Sequence, residues 1–441
     1  MNLTIKEILD NIPGIILARG RRNANIHGIS INSREISEND MFVCIKGNKF
    51  DGHKFASNAL NNGASAIVLE DKEALVPSGF FTVLKTDDTK IFLLRLAGYI
   101  LKKQNIKTIM ITGSCGKTST KEYLYTMLSH KYSVLKTIKN FNNEFGIPLS
   151  IFKYDESNEI AILEIGMNHP GEIKKIVSYI RPDISVIINV SDVHIEFFES
   201  LKEIALAKYE ILSNPTLNSI AIINSHYKEL IENFPSSFPG SAIFYDYSIL
   251  DGKIFIPQIE EEYKLDKNYI ELAEDFVAAL IIARKFGIPA SYCQQVLSSP
   301  PIIPGRFEII RKNGMTIIND CYNSSPKTLK SALNRFSAMK GEKILILGDM
   351  LELGKHSEAF HREIGDYINK NIHVDKLFTL GELSAIINDE LKIDNTRSFH
   401  SSDINELIEL INSNIEKNSS ILIKGSRGMK MERIIEKCFI S

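Results

Sequence analysis

The sequence predicts an α/β protein of three domains: a small mixed α/β N-terminal domain, a central P-loop parallel-sheet domain and a C-terminal Rossmann-like domain. Three observations carry that prediction. The 441 residues allow about three domains at roughly 150 residues each. Two separate sets of short, nearly continuous apolar runs alternate with helically spaced segments, the pattern of strands buried on both faces of a parallel sheet. One of those runs, Ile109-Met110-Ile111-Thr112, ends in Gly113-Ser114-Cys115-Gly116-Lys117-Thr118.

The first domain is placed at 1–88. Its expected strands are Gly28–Asn32, Met41–Ile45, Ala66–Leu69 and Phe81–Lys85, with a helix near His53–Asn62. Polar residues follow the strands, among them Ser33, Arg34 and Lys46, and taken alone they fit plain turns as well as a ligand site. Thr86-Asp87-Asp88-Thr89 offers a helix N-cap, and the spacing of Phe92, Leu93, Leu96 and Tyr99 predicts the helix that leads into the second domain, 89–307.

In that central domain the expected strands are Lys107–Thr112, Ile160–Ile165, Ile184–Val190 and Ile220–Asn224. Gly113 and Gly116 let backbone N–H groups of Ser114, Cys115 and Ser119's turn close around phosphate oxygens, at the start of a helix marked by Tyr123, Leu124, Met127 and Leu128. Lys117 is placed to neutralise outer phosphates and the Thr118 hydroxyl to ligate Mg²⁺. Ile111 stands where the longer P-loop pattern has glycine, so this is the short Gly-x-x-Gly-Lys-Thr form. Polar groups again sit at the carboxyl ends of strands, where such sheets place their chemistry: Glu164 after the second and His194 after the third. Lys208 lies on a following helix, and Asn142 and Asn143 in an amide-rich loop before Gly146-Ile147-Pro148. Taken singly, Glu164, His194 and Lys208 also fit an ordinary surface acid, a loop histidine and a solvated lysine.

The prolines and glycine of Pro300–Phe307 break the preceding helix, and the third domain is placed at 308–441. Met315–Ile318, Lys343–Leu347, Lys376–Thr379 and Ser420–Ile423 are its expected strands. Asp320, Tyr322 and Asn323, then Asp349, then Lys424, Ser426 and Arg427 follow strand ends. With Arg306 as a candidate phosphate contact and Asp320 as a ribose contact, this domain is expected to close over a nucleotide held by the central one.

Bulk properties exclude several classes. Net charge is −2, with 52 Lys and Arg against 54 Asp and Glu, so no general field favours nucleic acid. The five cysteines show no C-x-x-C spacing, which argues against a zinc site or a disulfide framework and fits a reducing cytoplasm. No apolar run approaches the roughly 20 residues needed to span a bilayer, and no signal-type apolar core follows Met1. No membrane insertion is expected.

Taken together, the ordered segments resemble the Mur ligases of peptidoglycan synthesis, in particular those that add D-alanyl-D-alanine to UDP-MurNAc-tripeptide. The resemblance rests on Ser33-Arg34, Lys46-Gly47 with Asp51-Gly52-His53, the Thr112–Thr118 loop with Lys121-Glu122, Asn142-Asn143 with Gly146–Leu149, and Glu164-Ile165-Gly166-Met167. It continues through Asn189-Val190 with His194, Ala207-Lys208-x-Glu210, Gly305-Arg306-Phe307, Asp320-x-Tyr322-Asn323, Gly348–Gly354 and Lys424-Gly425-Ser426-Arg427. Each piece is weak alone; the ordered set spans all three domains.

The resemblance implies an ADP-forming ligase in which ATP phosphorylates a carboxylate and an amine then attacks the acyl phosphate. It implies ATP and two Mg²⁺ ions, with Thr118 and Glu164 on the first ion, His194 on the second and Lys208 carried as a carbamate. By the same resemblance Asn142, Arg306, Asp320, Tyr322 and Asn323 meet ATP, and Ser33, Arg34 and Lys46 meet the UDP part. Asn143, Asp349, Lys424, Ser426 and Arg427 fall to the remaining substrate groups. The expected partners are small molecules alone, for a cytoplasmic monomer. Relatives commonly carry a His-Asn pair on the adenine side; the corresponding stretch Tyr269–Asp275 lacks it. Phe197, Glu199, Ser325 and Lys139 are further departures, so a paralogue joining another amine to another carboxylate, or a non-catalytic nucleotide-binding relative, are the alternatives.

Overall fold

The computed structural model describes residues 3–47, 50–70, 79–191, 195–392, 397–416 and 418–440. His194, expected as a metal ligand, lies outside them. Three larger sheets follow one another along the chain. The first runs in the order Ile15–Arg19, Thr82–Thr86, Ala66–Leu69, Met41–Val43, Ile29–Ser30, parallel except for the antiparallel edge Ile15–Arg19. Its strands are short because polar turns interrupt them; Ile29–Ser30 is narrower than the run Gly28–Asn32 suggested.

The second sheet is wholly parallel: Ser241–Tyr245, Ile220–Asn224, Ile184–Ile187, Lys107–Thr112, Ile160–Glu164, Val134–Lys136. The central strands Lys107–Thr112, Ile160–Glu164 and Ile184–Ile187 are buried at nearly every position, which is why continuous apolar runs were required there. Helix Thr89–Lys103 begins at Asp88, whose carboxylate accepts from the N–H groups of Lys90 and Ile91. Its apolar side, with Phe92, Leu93, Leu96 and Ile100, joins one continuous core that includes both Val68 of the first sheet and Leu163 of the second. On the other face, helix Lys117–Leu128 packs on helix Ala273–Lys285 through Tyr123, Leu124 and Phe276. A three-stranded antiparallel sheet, Ser248–Leu250, Lys253–Ile256 and Glu261–Lys264, adds to this face.

The third sheet has the order Glu308–Lys312, Met315–Asp320, Ser419–Lys424, Glu342–Gly348, Lys376–Leu380, Arg397–Ser401, with the first strand antiparallel. Separate cores cover its two faces, one around Phe336 and Leu345, the other around Phe378 and Ile421. Helix Pro326–Ser337 opens with a capping box, in which Ser325 and Thr328 each accept the other's backbone N–H. That cap fixes the turn from which Lys327 points toward the second sheet.

Candidate active site

Strand Lys107–Thr112 delivers the chain to Gly113, and the loop ends at Gly116, whose φ of 77° permits the turn into the helix. The Asn189 carboxamide holds the loop from behind: its Oδ1 accepts the N–H groups of Ser114 at 2.9 Å and Cys115 at 3.0 Å. The Lys117 ammonium folds back onto the carbonyls of Gly113 at 2.7 Å and Ser114 at 3.3 Å. Burial lowers its pKa, while the Glu164 charge opposes that shift.

Beside the loop, the Thr118 hydroxyl donates to Glu164 Oε2 at 2.8 Å and Asn142 Nδ2 donates to Glu164 Oε1 at 3.0 Å. Glu164 ends its strand 1 % exposed. Burial alone would raise its pKa, but the nearby cations Lys121, Lys117 and Arg306 outweigh that and hold the carboxyl below its ordinary value. Lys121 is itself buried, with its ammonium 3.6 Å from Glu164 Oε2 and bonded to the Thr137 carbonyl. A buried hydroxyl next to an ionised carboxylate is a pair of hard oxygen donors, and it fits Mg²⁺. Lys208 is 2 % exposed, and among the described residues none hydrogen-bonds or ion-pairs with it. Burial pushes its pKa well down, and the Lys117 charge adds to the effect.

A cleft of about 1040 Å³ runs between the second and third sheets. The loop residues Ser114, Cys115, Gly116, Lys117 and Ser119 form one wall with Asn142, Asn143 and Glu164. Arg306, Asp320, Tyr322, Asn323 and Lys424 face them. The two walls touch where the Arg306 guanidinium donates to the Thr118 hydroxyl at 2.9 Å, and Tyr322 stacks beneath Arg306, 4.1 Å from ring centre to guanidinium carbon. Asp320 accepts from the Phe307 N–H at 3.0 Å and pairs with Lys424 at 2.7 Å, so its carboxylate is already engaged. Asn143 Oδ1 caps the Phe145 and Gly146 N–H groups.

Other expected residues lie outside this cleft. Asp349 is buried and accepts from the Ser384 N–H at 2.7 Å, while Ser426 accepts from the Leu351 N–H at 2.8 Å. Both brace one end of the third sheet. Arg427 is exposed beside Glu432. Ser33 is buried under Asn62, and Arg34 and Lys46 are exposed on the first sheet's loops. The residues sequence reasoning missed include both charges: Glu271, Glu274 and Asp275 line the cleft, and so do Lys327, Lys330 and Arg335. Glu274 meets Lys327, Glu271 meets Asn334, and both partners stand on helix Pro326–Ser337. The His-Asn pair expected by resemblance but missing from Tyr269–Asp275 was the available signal.

Three family profiles match the chain: the Mur ligase family catalytic domain over 25–95, the Mur ligase middle domain over 111–272, and the Mur ligase glutamate ligase domain over 305–427. The UDP-N-acetylmuramoyl-tripeptide–D-alanyl-D-alanine ligase of Bacillus subtilis is 34% identical, covering 98% of this chain and 97% of its own. The ligase of the same description from Rickettsia prowazekii is 32% identical, covering 94% and 95%. Among solved structures, MurF ligase of Thermotoga maritima in complex with ADP is 30% identical with a TM-score of 0.78, covering 93% and 96%. MurF from Acinetobacter baumannii shares the fold at a TM-score of 0.86 and 24% identity, over 100% of this chain and 99% of that one. With three domain profiles in order and full-length relatives at 34% and 32% identity, the chain belongs to the Mur ligase family.

Proposed function

We propose that this chain is the ATP-dependent, ADP-forming ligase that adds D-alanyl-D-alanine to UDP-N-acetylmuramoyl-tripeptide in peptidoglycan precursor synthesis. The observation that carries the reading is the contact of Arg306 with Thr118. It sets a phosphate-binding loop and its metal-type oxygen pair directly opposite a second polar wall. A substrate carboxylate oxygen attacks the γ-phosphorus and ADP leaves; the amine nitrogen of the dipeptide then attacks the acyl carbon and phosphate leaves. A carboxylate is a poor electrophile, so the phosphoryl group supplies the leaving group. Positioning and charge stabilisation do most of the catalytic work in such transfers.

In this reading Lys117, Gly113, Ser114, Cys115, Gly116 and Ser119 hold the phosphates, and Asn142 orients them. Thr118 and Glu164 would hold Mg²⁺, with His194 and Lys208 as further ligands, and the ion would supply positive charge against that of the phosphates. Lys208 becomes a fitting ligand as a carbamate, and its buried, weakly basic amine is the form that adds CO₂, releasing a proton. Arg306, Asp320, Tyr322 and Asn323 complete the nucleotide site. Ser33, Arg34 and Lys46 take the UDP part, and Asn143, Asp349, Lys424, Ser426 and Arg427 serve the peptide and amine substrates. The three units are 1–88 for the UDP substrate, 89–307 for ATP and 308–441 for closure, acting as a cytoplasmic monomer. No helix among the described residues is long and apolar enough to cross a membrane.

Phosphate release from ATP, with each co-substrate omitted in turn and the product weighed by mass spectrometry, tests the proposal. Release that requires both the UDP-tripeptide and D-Ala-D-Ala, with a UDP-pentapeptide formed, is expected. Absence of release at saturating Mg²⁺ and bicarbonate would shift the reading to a paralogue with another amine or acceptor.

A further inference from the structure

We propose that Lys327, acting through Glu274 and Asn189, is a positioning residue that couples docking of the third sheet's unit to the shape of the phosphate-binding loop. The inference rests on the loop being the ATP site. Asn189 Oδ1 accepts two loop N–H groups, those of Ser114 and Cys115. Its amide nitrogen donates to Glu274 Oε2 at 3.0 Å. This second bond fixes which way the carboxamide faces. A flipped Asn189 would set its NH₂ against two N–H donors and its oxygen against a carboxylate, a doubly unfavourable arrangement.

Glu274 is oriented in its turn. The Lys327 ammonium donates to both of its oxygens, at 3.1 and 3.0 Å, and the Tyr227 hydroxyl donates to one of them. Lys327 stands in the first turn of helix Pro326–Ser337, so it is delivered only when the third sheet's unit is docked. It lines the same cleft as the loop, and its hydrogen bonds go to Glu274 and Tyr227. Its charge nevertheless matters to the loop, because without it Glu274 would be an uncompensated carboxylate beside a site that must accept a polyanion. Docking thus neutralises Glu274 and locks the amide that shapes the cradle. The Lys327 side chain is 40% exposed and Glu274 20%, so solvent screens part of the effect and a moderate one follows.

The test is equilibrium binding of a non-hydrolysable ATP analogue with Mg²⁺ to the full-length chain, with no acceptor present, followed by steady-state kinetics. Lys327→Ala is expected to weaken the analogue about three- to tenfold and to raise the KM for ATP by the same factor, with kcat and the other two KM values close to wild type. Lys327→Arg, which keeps a donor and the charge, restores binding. Combining Lys327→Ala with Glu274→Gln is expected to cost no more than the worse single change, because both act in one chain of contacts. Wild-type affinity in Lys327→Ala, or losses that multiply in the double variant, would overturn the relay alone. A wild-type chain that fails to bind the analogue would overturn the ATP reading and the relay together.

Discussion

An Asp275 carboxylate oxygen lies 2.0 Å from the position a Cβ would take on Gly116. The neighbour is a buried side chain on the helix packed against the loop, and Gly116 has a φ of 77°. Close approach and backbone conformation therefore both demand glycine. Gly116→Ala is expected to displace the loop and reduce kcat/KM for ATP by about a hundredfold, with strain of about 1–2 kcal/mol in unfolding free energy. Activity within threefold of wild type would show that the loop tolerates the shift.

Asp275 yields a second expectation from the same contact. Burial, and after it the Glu274 charge, raise its pKa from 3.8 to about 6, against a hydrogen bond from Ser119. A raised carboxyl pKa means that the folded state holds the proton more tightly. Stability is therefore lost as pH rises from about 4 to 6, and the loss is complete above 6. Asp275→Asn should be more stable than wild type by about 1–3 kcal/mol at pH 8, an advantage that shrinks as pH falls through 6. Urea unfolding at pH 5 and pH 8 measures it; an advantage independent of pH would refute the assignment.

Much of this arrangement was legible in the residue pattern, for a physical reason. Strands buried on both faces must be apolar throughout, so Lys107–Thr112, Ile160–Glu164 and Ser419–Lys424 announce themselves. Edge strands need not be. Ile15–Arg19 and Glu308–Lys312 alternate half-buried with exposed residues, and neither they nor Val134–Lys136 stood out. The grouping of Lys117, Thr118 and Glu164 was visible because glycine spacing and strand ends mark them. Glu274 and Lys327 were not, because each reads as a solvated charge on its own helix. Only the packing of two units brings them within 3.0 Å.

The Thr118–Glu164 pair carries the metal expectation. Glu164→Gln keeps the side chain's shape while removing the negative charge, and it leaves one acceptor oxygen for the two donors Thr118 and Asn142. The Mg²⁺ concentration for half-maximal rate is expected to rise at least about tenfold, with kcat falling as well. An unchanged Mg²⁺ titration would remove Glu164 from the metal site.

His361 ties the end of the third sheet together. It is fully buried, its Nε2 accepting the Met350 N–H at 3.0 Å and its Nδ1 donating to the Ser357 carbonyl at 2.7 Å. The ring must therefore be neutral, and burial pushes its pKa below 6.5, with the Ser357 bond and the Asp349 charge opposing. A depressed histidine pKa means that stability present above 6.5 is lost as pH falls, since the unfolded chain takes up the proton first. His361→Ala should cost about 2–4 kcal/mol at pH 8, from the cavity and the orphaned Met350 N–H. It should also flatten part of the decline in stability between pH 6.5 and 5, because the group that takes up the proton is gone. Because Met350 follows Asp349, loss of the ring also loosens a loop proposed to serve the peptide and amine substrates. The KM for D-Ala-D-Ala is expected to rise more than the KM for ATP, and equal changes in both would leave His361 a packing residue with no role in placing that loop.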